Sequence, residues 1–286
     1  MLMTGHDLLS VANANNFAVP AFNVSDYSMQ NGLFEICEQK QAPWILAIHP
    51  NEVAHLGPEA LFAFRERAHR SSTPVAIHWD HGASYEQALS AIQFGFTSVM
   101  IDGSMLDFDQ NLALTKKVVD SAHAVGLSVE GELGTIGATD VTGEGGTDTI
   151  LYTEPAEAAR FIQETGVDSL AIAIGTRHGI YPATLAPELK LDLLQEIKKA
   201  VGIPLVLHGG SNNPDDEIAQ AVKLGVNKIN ISSDIKVAYF DQLRATLSDP
   251  GLREPSAIQP DAVEAMQRVA AQKIDLFDAA DKAKLY

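Results

Sequence analysis

Three short apolar runs in this chain end on the same dipeptide. Val75-Ala-Ile77 leads through His78, Trp79 and Asp80 to His81-Gly82. Ser169-Leu-Ala-Ile-Ala-Ile174 leads through Gly175, Thr176 and Arg177 to His178-Gly179, and Leu205-Val-Leu207 leads directly to His208-Gly209. Short apolar runs broken by glycine read as buried strands. Imidazoles and an acid at such strand ends are costly to bury unless something pairs with them. Three imidazoles converging from three strand ends would form an open zinc site, with three protein ligands and one position left for a reactant. His81, His178 and His208 are therefore the candidate ligands. Asp80 is a candidate general acid/base beside the metal, or else a carboxylate that orients an imidazole. Of the other histidines, His78 lies closest, but period-2 alternation turns it away from His81 and leaves it outside the site. Asp102, Glu130 and Glu132 close two further strands. They read either as ion-pair partners in the mouth of the fold or as holders of a second metal position.

Two further stretches suit an anion. His208-Gly209-Gly210-Ser211 opens a loop of small residues whose backbone N–H groups can approach a phosphate. Asn230-Ile231-Ser232-Ser233 ends another strand just before a helix whose N-terminus favours negative charge.

The elements that must position these residues alternate regularly. Strands are expected at 17–22, 44–48, 75–77, 98–101, 128–133, 169–175, 205–207 and 226–231. Helices are expected at 28–39, 58–69, 84–94, 108–125, 155–165, 191–201, 215–224, 235–247 and, as an extra one, about 262–277. Short apolar strands alternating with helices indicate parallel units. Eight of them in one chain predict an α/β fold, a (β/α)8 TIM barrel with an added C-terminal helix. The expectation is one barrel domain over residues 1–286, including a helical extension at about 249–286. Every polar residue flagged above then falls at a strand's C-terminal end, the face where such barrels keep their sites. A Gly/Thr/Asp-rich loop at 134–153 is long enough to suggest a function of its own.

Bulk properties narrow the partners. The 286 residues are 46% hydrophobic, enough for a sizeable core, and no apolar run approaches the roughly 18 residues of a membrane span. A net charge of −17 argues against nucleic acid. An anionic substrate would have to be gripped locally against that field. The single Cys37 excludes an intramolecular disulfide, and the first residues carry no basic and apolar signal pattern. A cytoplasmic location is expected.

The chain resembles the class II, zinc-dependent fructose/tagatose-bisphosphate aldolases, most closely the tagatose-type branch. The resemblance runs along essentially the whole chain. It rests on Val-Pro-Ala-Phe-Asn at 19–23, Asp80-His81, Met-Ile-Asp-Gly-Ser at 100–104 and Val-Glu-Gly-Glu-Leu-Gly at 129–134. Further on it rests on Asp-Ser-Leu-Ala-Ile-Ala-Ile-Gly-Thr-Arg-His-Gly at 168–179, Pro-Leu-Val-Leu-His-Gly-Gly-Ser at 204–211 and Lys-Ile-Asn-Ile at 228–231. It implies zinc on His81, His178 and His208, Asp102 and Glu132 at a second metal position, and Asp80 as proton donor. It implies dihydroxyacetone phosphate held by Gly179, Gly209, Gly210, Ser211, Asn230, Ile231, Ser232 and Ser233, with Asn23 beside the substrate. A monovalent cation (Na+ or K+) near that phosphate and assembly into a homodimer or homotetramer are implied as well.

Three departures from the family pattern matter. Gly82 stands where relatives carry a second His or another polar residue. Asp140 matches a loop Glu that exchanges the C3 proton, with Glu144 and Asp148 as neighbours. Pro260 or Val263 stands where relatives place an Arg for the aldehyde-end phosphate, while Arg253 and Arg268 are off register. His49 and Trp79 are expected to face the aldehyde instead, which predicts tolerance of unphosphorylated or carboxylated aldehydes. Two rival readings are a Schiff-base aldolase using Lys228, the only strand lysine, and a non-catalytic zinc-binding barrel that stabilises a partner aldolase. The first gives three His-Gly exits no role. The second has no need of Asp80 with all three histidines.

Overall fold

Runs of Val, Ile, Leu and Ala without alternation suit strands buried on both faces, as a parallel sheet covered by helices demands. The computed structural model describes residues 1–139, 147, 149–182, 184 and 187–286. Its strands are β1 (Val19–Asn23), β2 (Trp44–Ile48), β3 (Val75–Gly82), β4 (Ser98–Ile101), β5 (Ser128–Leu133), β6 (Gly137–Ala138), β7 (Ser169–Ile172), β8 (Arg177–His178), β9 (Leu205–Leu207) and β10 (Val226–Ile231). Eight of them close a barrel in the order β1-β10-β9-β7-β5-β4-β3-β2, each pair parallel, while β6 and β8 pair apart. This is the expected (β/α)8 TIM barrel.

The helices are α1 (Gly5–Asn15), α2 (Tyr27–Gln39), α3 (Pro50–Leu56), α4 (Pro58–His69), α5 (Tyr85–Phe94), α6 (Phe108–His123), α7 (Pro155–Thr165), α8 (Leu191–Ala200), α9 (Asp215–Lys223), α10 (Ser233–Thr246) and α11 (Pro255–Leu276). Several start as their sequence dictates. Asp26, Ser84 and Asp107 accept backbone N–H groups at the first turns of α2, α5 and α6.

Besides the small β6–β8 pair, three helices depart from expectation. α1 is additional: it lies under the barrel with Leu8, Leu9 and Ala12 buried. A Cβ on Gly5 would stand 2.6 Å from Ser98 Oγ and 2.8 Å from Ser128 Oγ, at the starts of β4 and β5, so only glycine permits this approach. α3 is also additional, opened by a capping box in which His49 takes the place usual for Ser or Thr and Glu52 reciprocates. α11 starts seven residues before the expected Ala262, because Pro255 seeds its first turn and Pro260 is accommodated inside it.

Inside the barrel, inward positions recur every second residue. Met100, Ala171 and Val206 form a small apolar cluster of their own. The larger core lies between the sheet and the helices and includes Phe17, Phe34, Trp44, Phe64 and Phe161. No described helix is long and apolar enough to cross a membrane.

Candidate active site

The three imidazoles do meet. His81 and His208 ring centroids are 4.5 Å apart, His81 and His178 5.1 Å, and His178 and His208 6.3 Å. One nitrogen from each lies within 4.8 Å of the others, and all three residues are buried. Simple alternation cannot deliver this, because Asp80 and His81 are consecutive and would face opposite sides of β3. His81 instead adopts φ +52, and the β3–β4 register shifts between Trp79 and Gly82. The irregularity turns His81 back into the mouth beside Asp80.

His78 stays outside the three-histidine group and the cavity lining, as expected, but not because it is turned away. It shares the inward face with Asp80 and lies 1% exposed inside the barrel, with Nδ1 against Ser98 Oγ at 2.8 Å. Burial, aided by the neighbouring Lys228 charge, lowers its imidazole to about 3, so the ring is neutral. Trp79 faces outward, edge-on to Phe96 at 5.2 Å, and not toward any aldehyde. His49 does reach the mouth, its ring 6.3 Å from that of His81.

Asp80 is 3% exposed and doubly held. Asn23 Nδ2 donates to Oδ2 at 2.8 Å, and Asn230 Nδ2 donates to both oxygens at 3.1 and 3.2 Å. Burial alone would raise this carboxyl, but the positive fields around it, those of His81 and Lys228, hold it well below the usual range. A fixed, ionised carboxylate beside three imidazoles is set up to accept a proton.

The surroundings are strongly negative. Asp102 Oδ2 lies 3.1 Å from His81 Nδ1, and its Oδ1 accepts from Ser104 N–H and Oγ–H. Burial disfavours charge on His81, yet the Asp102 hydrogen bond and the fields of Asp80, Asp102 and Glu132 push it up to about 10. Glu132 Oε2 is buried without a hydrogen-bond partner, and burial with Asp102 nearby raises its carboxyl well above the usual range. A site that draws protons onto an imidazole and strands a buried carboxylate oxygen fits a bound cation. His81, Asp102 and Glu132 form a second group with donor atoms within 4.8 Å of one another, sharing His81 with the first. Among neutral donors, three imidazole nitrogens favour zinc.

The expected phosphate residues are partly assembled. Gly179, Gly209, Ser211, Asn230, Ser232 and Ser233 line the same cavity as the histidines, Asp80 and Asn23. Gly209 has φ +64, and a Cβ there would stand 2.6 Å from Arg177 O. The other two differ. Gly210 N–H already donates to Asn230 O at 3.1 Å, and Ile231 is fully buried in the core. Neither lines the cavity. The long loop begins tied to the backbone of His178, since Thr139 N–H and Oγ–H both donate to His178 O, at 3.0 and 2.6 Å. Asp140, Glu144 and Asp148, the candidates for proton exchange at C3, lie outside the described residues.

Sequence reasoning missed the layer beneath the cup. There Lys228 is fully buried and spends its three N–H bonds on Glu130 Oε1 and Oε2 and on His78 Nε2. That arrangement removes it as a Schiff-base nucleophile. The signal was available: a lysine inside an apolar strand must be paired.

Comparison with known proteins agrees with this geometry. The family described as "Fructose-bisphosphate aldolase class-II" matches residues 3–282. The YdjI aldolase from Escherichia coli K12 is 32% identical, superposing with a TM-score of 0.87 over 99% of this chain and 100% of that one. A putative fructose-1,6-biphosphate aldolase from Coccidioides immitis is 26% identical, with a TM-score of 0.90 over 99% and 98% of the two chains. The fructose-bisphosphate aldolase (Fba) from Campylobacter jejuni, 22% identical, shares the fold with a TM-score of 0.81 over 98% of this chain and 96% of that one. A closed eight-stranded barrel whose strand ends bring together three histidines and a held aspartate, matched along nearly its whole length, belongs to the class II fructose-bisphosphate aldolase family and is an aldol-cleaving lyase.

Proposed function

We propose that this chain reversibly cleaves a ketose 1-phosphate, or its 1,6-bisphosphate, to dihydroxyacetone phosphate and an aldehyde, using zinc held by His81, His178 and His208. The observation that carries the reading is the convergence of three buried imidazoles beside Asp80. Bound there, zinc would supply Lewis-acid polarisation of substrate oxygens. Asp102 and Glu132, which share His81 with the first group, would hold its second position.

The chain's own groups account for the proton transfers. In cleavage, the C3–C4 bond breaks, its electron pair passes to C3, and a carbonyl forms at C4. Asp80 takes the C4 hydroxyl proton and returns it during synthesis. Its amide partners Asn23 and Asn230 keep it aimed. A loop carboxyl, Asp140 by position, delivers the proton to C3. Gly179, Gly209, Ser211, Asn230, Ser232 and Ser233 surround the place for the substrate phosphate, and the start of α10 favours its charge. A monovalent cation beside that phosphate, a homo-oligomeric assembly and a cytoplasmic location complete the proposal.

Among the described residues, the cavity lining contains no Lys or Arg. Arg268, on the outer helix α11, is exposed and bound to Glu264 at 2.8 Å. A terminal phosphate on the aldehyde needs a charge-assisted, preferably bidentate partner. The second reading, favoured by this lining, is therefore an unphosphorylated or carboxylated aldehyde, with dihydroxyacetone phosphate still required. The experiment is kcat/KM of the zinc-loaded protein on ketose 1-phosphates against fructose and tagatose 1,6-bisphosphate. Activity on the monophosphates that disappears on chelation and in His208→Ala supports both readings. A preference above about 100-fold for a bisphosphate, worth about 2.7 kcal/mol, would overturn the second. Full activity without metal would overturn the first.

A further inference from the structure

Beneath the three imidazoles the barrel interior holds a polar layer that does not open to the cavity. Glu130 on β5, Lys228 on β10, His78 on β3 and Ser98 on β4 are 1%, 0%, 1% and 5% exposed. Lys228 Nζ donates to Glu130 Oε1 and Oε2 at 2.9 and 2.8 Å and to His78 Nε2 at 3.3 Å. His78 therefore accepts on Nε2 and carries its proton on Nδ1, which donates to Ser98 Oγ at 2.8 Å. Glu130 Oε1 has one more partner, His208 Nε2, at 2.8 Å.

A buried ion pair is a poor way to fill a barrel. Such pairs are often replaceable by apolar side chains without loss of stability, and branched aliphatic residues usually fill this position. This barrel uses an apolar filling elsewhere, at Met100, Ala171 and Val206. What the pair does that an aliphatic layer cannot is present an ionised acceptor to His208. With Nε2–H committed to Glu130, the His208 lone pair sits on Nδ1. His81 is treated alike, its Nδ1 facing Asp102 at 3.1 Å.

We propose that Glu130 is a positioning residue for metal capture: neutralised and held by Lys228, it fixes the tautomer and ring plane of His208. The inference rests on the zinc reading above. A ligand histidine whose other nitrogen is held by a carboxylate is oriented before the metal arrives, and loss of such a partner typically costs 10–100-fold in affinity.

Cobalt(II), whose visible absorption reports a four-coordinate site, is the probe. It is titrated into metal-free wild type, Glu130→Gln/Lys228→Met and Glu130→Met/Lys228→Met. Both double variants remove the buried charge pair, but only the first keeps an acceptor for His208 Nε2–H. The expected result is near-wild-type cobalt affinity and spectrum for the Gln variant, and a loss of roughly 10–100-fold with altered bands for the Met variant. Wild-type affinity and spectrum in the Met variant would overturn the proposal and leave the layer a structural filling. Failure of wild type itself to bind cobalt or zinc would instead remove the zinc reading on which it stands. A second measurement needs no charge-pair variant. Histidine-selective 15N NMR of the metal-free wild type, with His208 assigned from its loss in His208→Gln, should show the proton on Nε2. A proton on Nδ1 would overturn the proposal.

Discussion

In the proposed mechanism Asp80 is the residue on which the chemistry turns. Two amide donors, from Asn23 and Asn230, leave it no option but to accept, and nearby positive groups keep its carboxyl ionised despite complete burial. Asp80→Asn retains the shape and loses the base. Cleavage should fall by roughly 10²–10⁴-fold, the usual worth of a general acid/base. Exchange of the C3 proton of dihydroxyacetone phosphate with solvent should survive in part, since the proposed mechanism gives that proton to a different group. A near-normal cleavage rate would remove Asp80 from the mechanism. The complementary pair is Asp140→Asn and Glu144→Gln, compared in the same exchange assay. Asp140→Asn should stop exchange and Glu144→Gln should not. The opposite pattern would assign the role to Glu144.

At the scale of elements, α8 carries a lysine whose environment penalises its charge. Lys198 Nζ donates to Asn13 Oδ1 at 2.7 Å and to Asn227 Oδ1 at 3.2 Å, both neutral amide oxygens. Burial lowers its ammonium from the ordinary 10.5 to about 8. Below that value both folded and unfolded chains are protonated and the fold bears the full cost. Between about 8 and 10.5 the unfolded chain binds more protons, so this group's contribution to stability rises with pH. The amine is only half-buried, and solvent screening reduces the effect to about 1 kcal/mol. The melting temperature of wild type minus that of Lys198→Met should therefore grow by roughly 2–4 °C between pH 7.5 and 10. A difference that stays flat or shrinks would contradict the assignment.

In the whole molecule, the site and the stability reserve lie at opposite ends. The mouth carries the polar residues, while α1 seals the other end against β1, β3, β5 and β10. Leu8 of α1 is fully buried, and Tyr286 Oη donates to its carbonyl at 2.8 Å, tying the two ends of the described chain together. Leu8→Ala should cost 2–5 kcal/mol in urea unfolding, the range for a large-to-small change in a well-packed core. Because the strand ends at the mouth are untouched, kcat and KM should stay within about twofold of wild type, against the tenfold that 1.4 kcal/mol at the site would produce. A change in KM without loss of stability would show that α1 communicates with the mouth.

Residue types and local order alone determined the alternation of strands and helices, the eight-unit count, and the identities of His81, His178, His208 and Asp80. These follow from side-chain period and from glycine breaks, which act over a few neighbouring residues. The tertiary structure decided what depends on partners distant in sequence. Glu130 meets Lys228 across 98 residues, and Lys228 meets His78 across 150, so no local pattern announces the layer beneath the cup. Alternation turned His78 away from the strand's inner face, and the missing Arg made Trp79 an aldehyde contact; the structure puts the first on the inner face, one layer beneath the site, and the second against Phe96. It could not foresee that His81 would leave regular strand geometry at φ +52 and join Asp80 on one side. That turn depends on how β3 shifts register against β4, a contact made only once the barrel has closed.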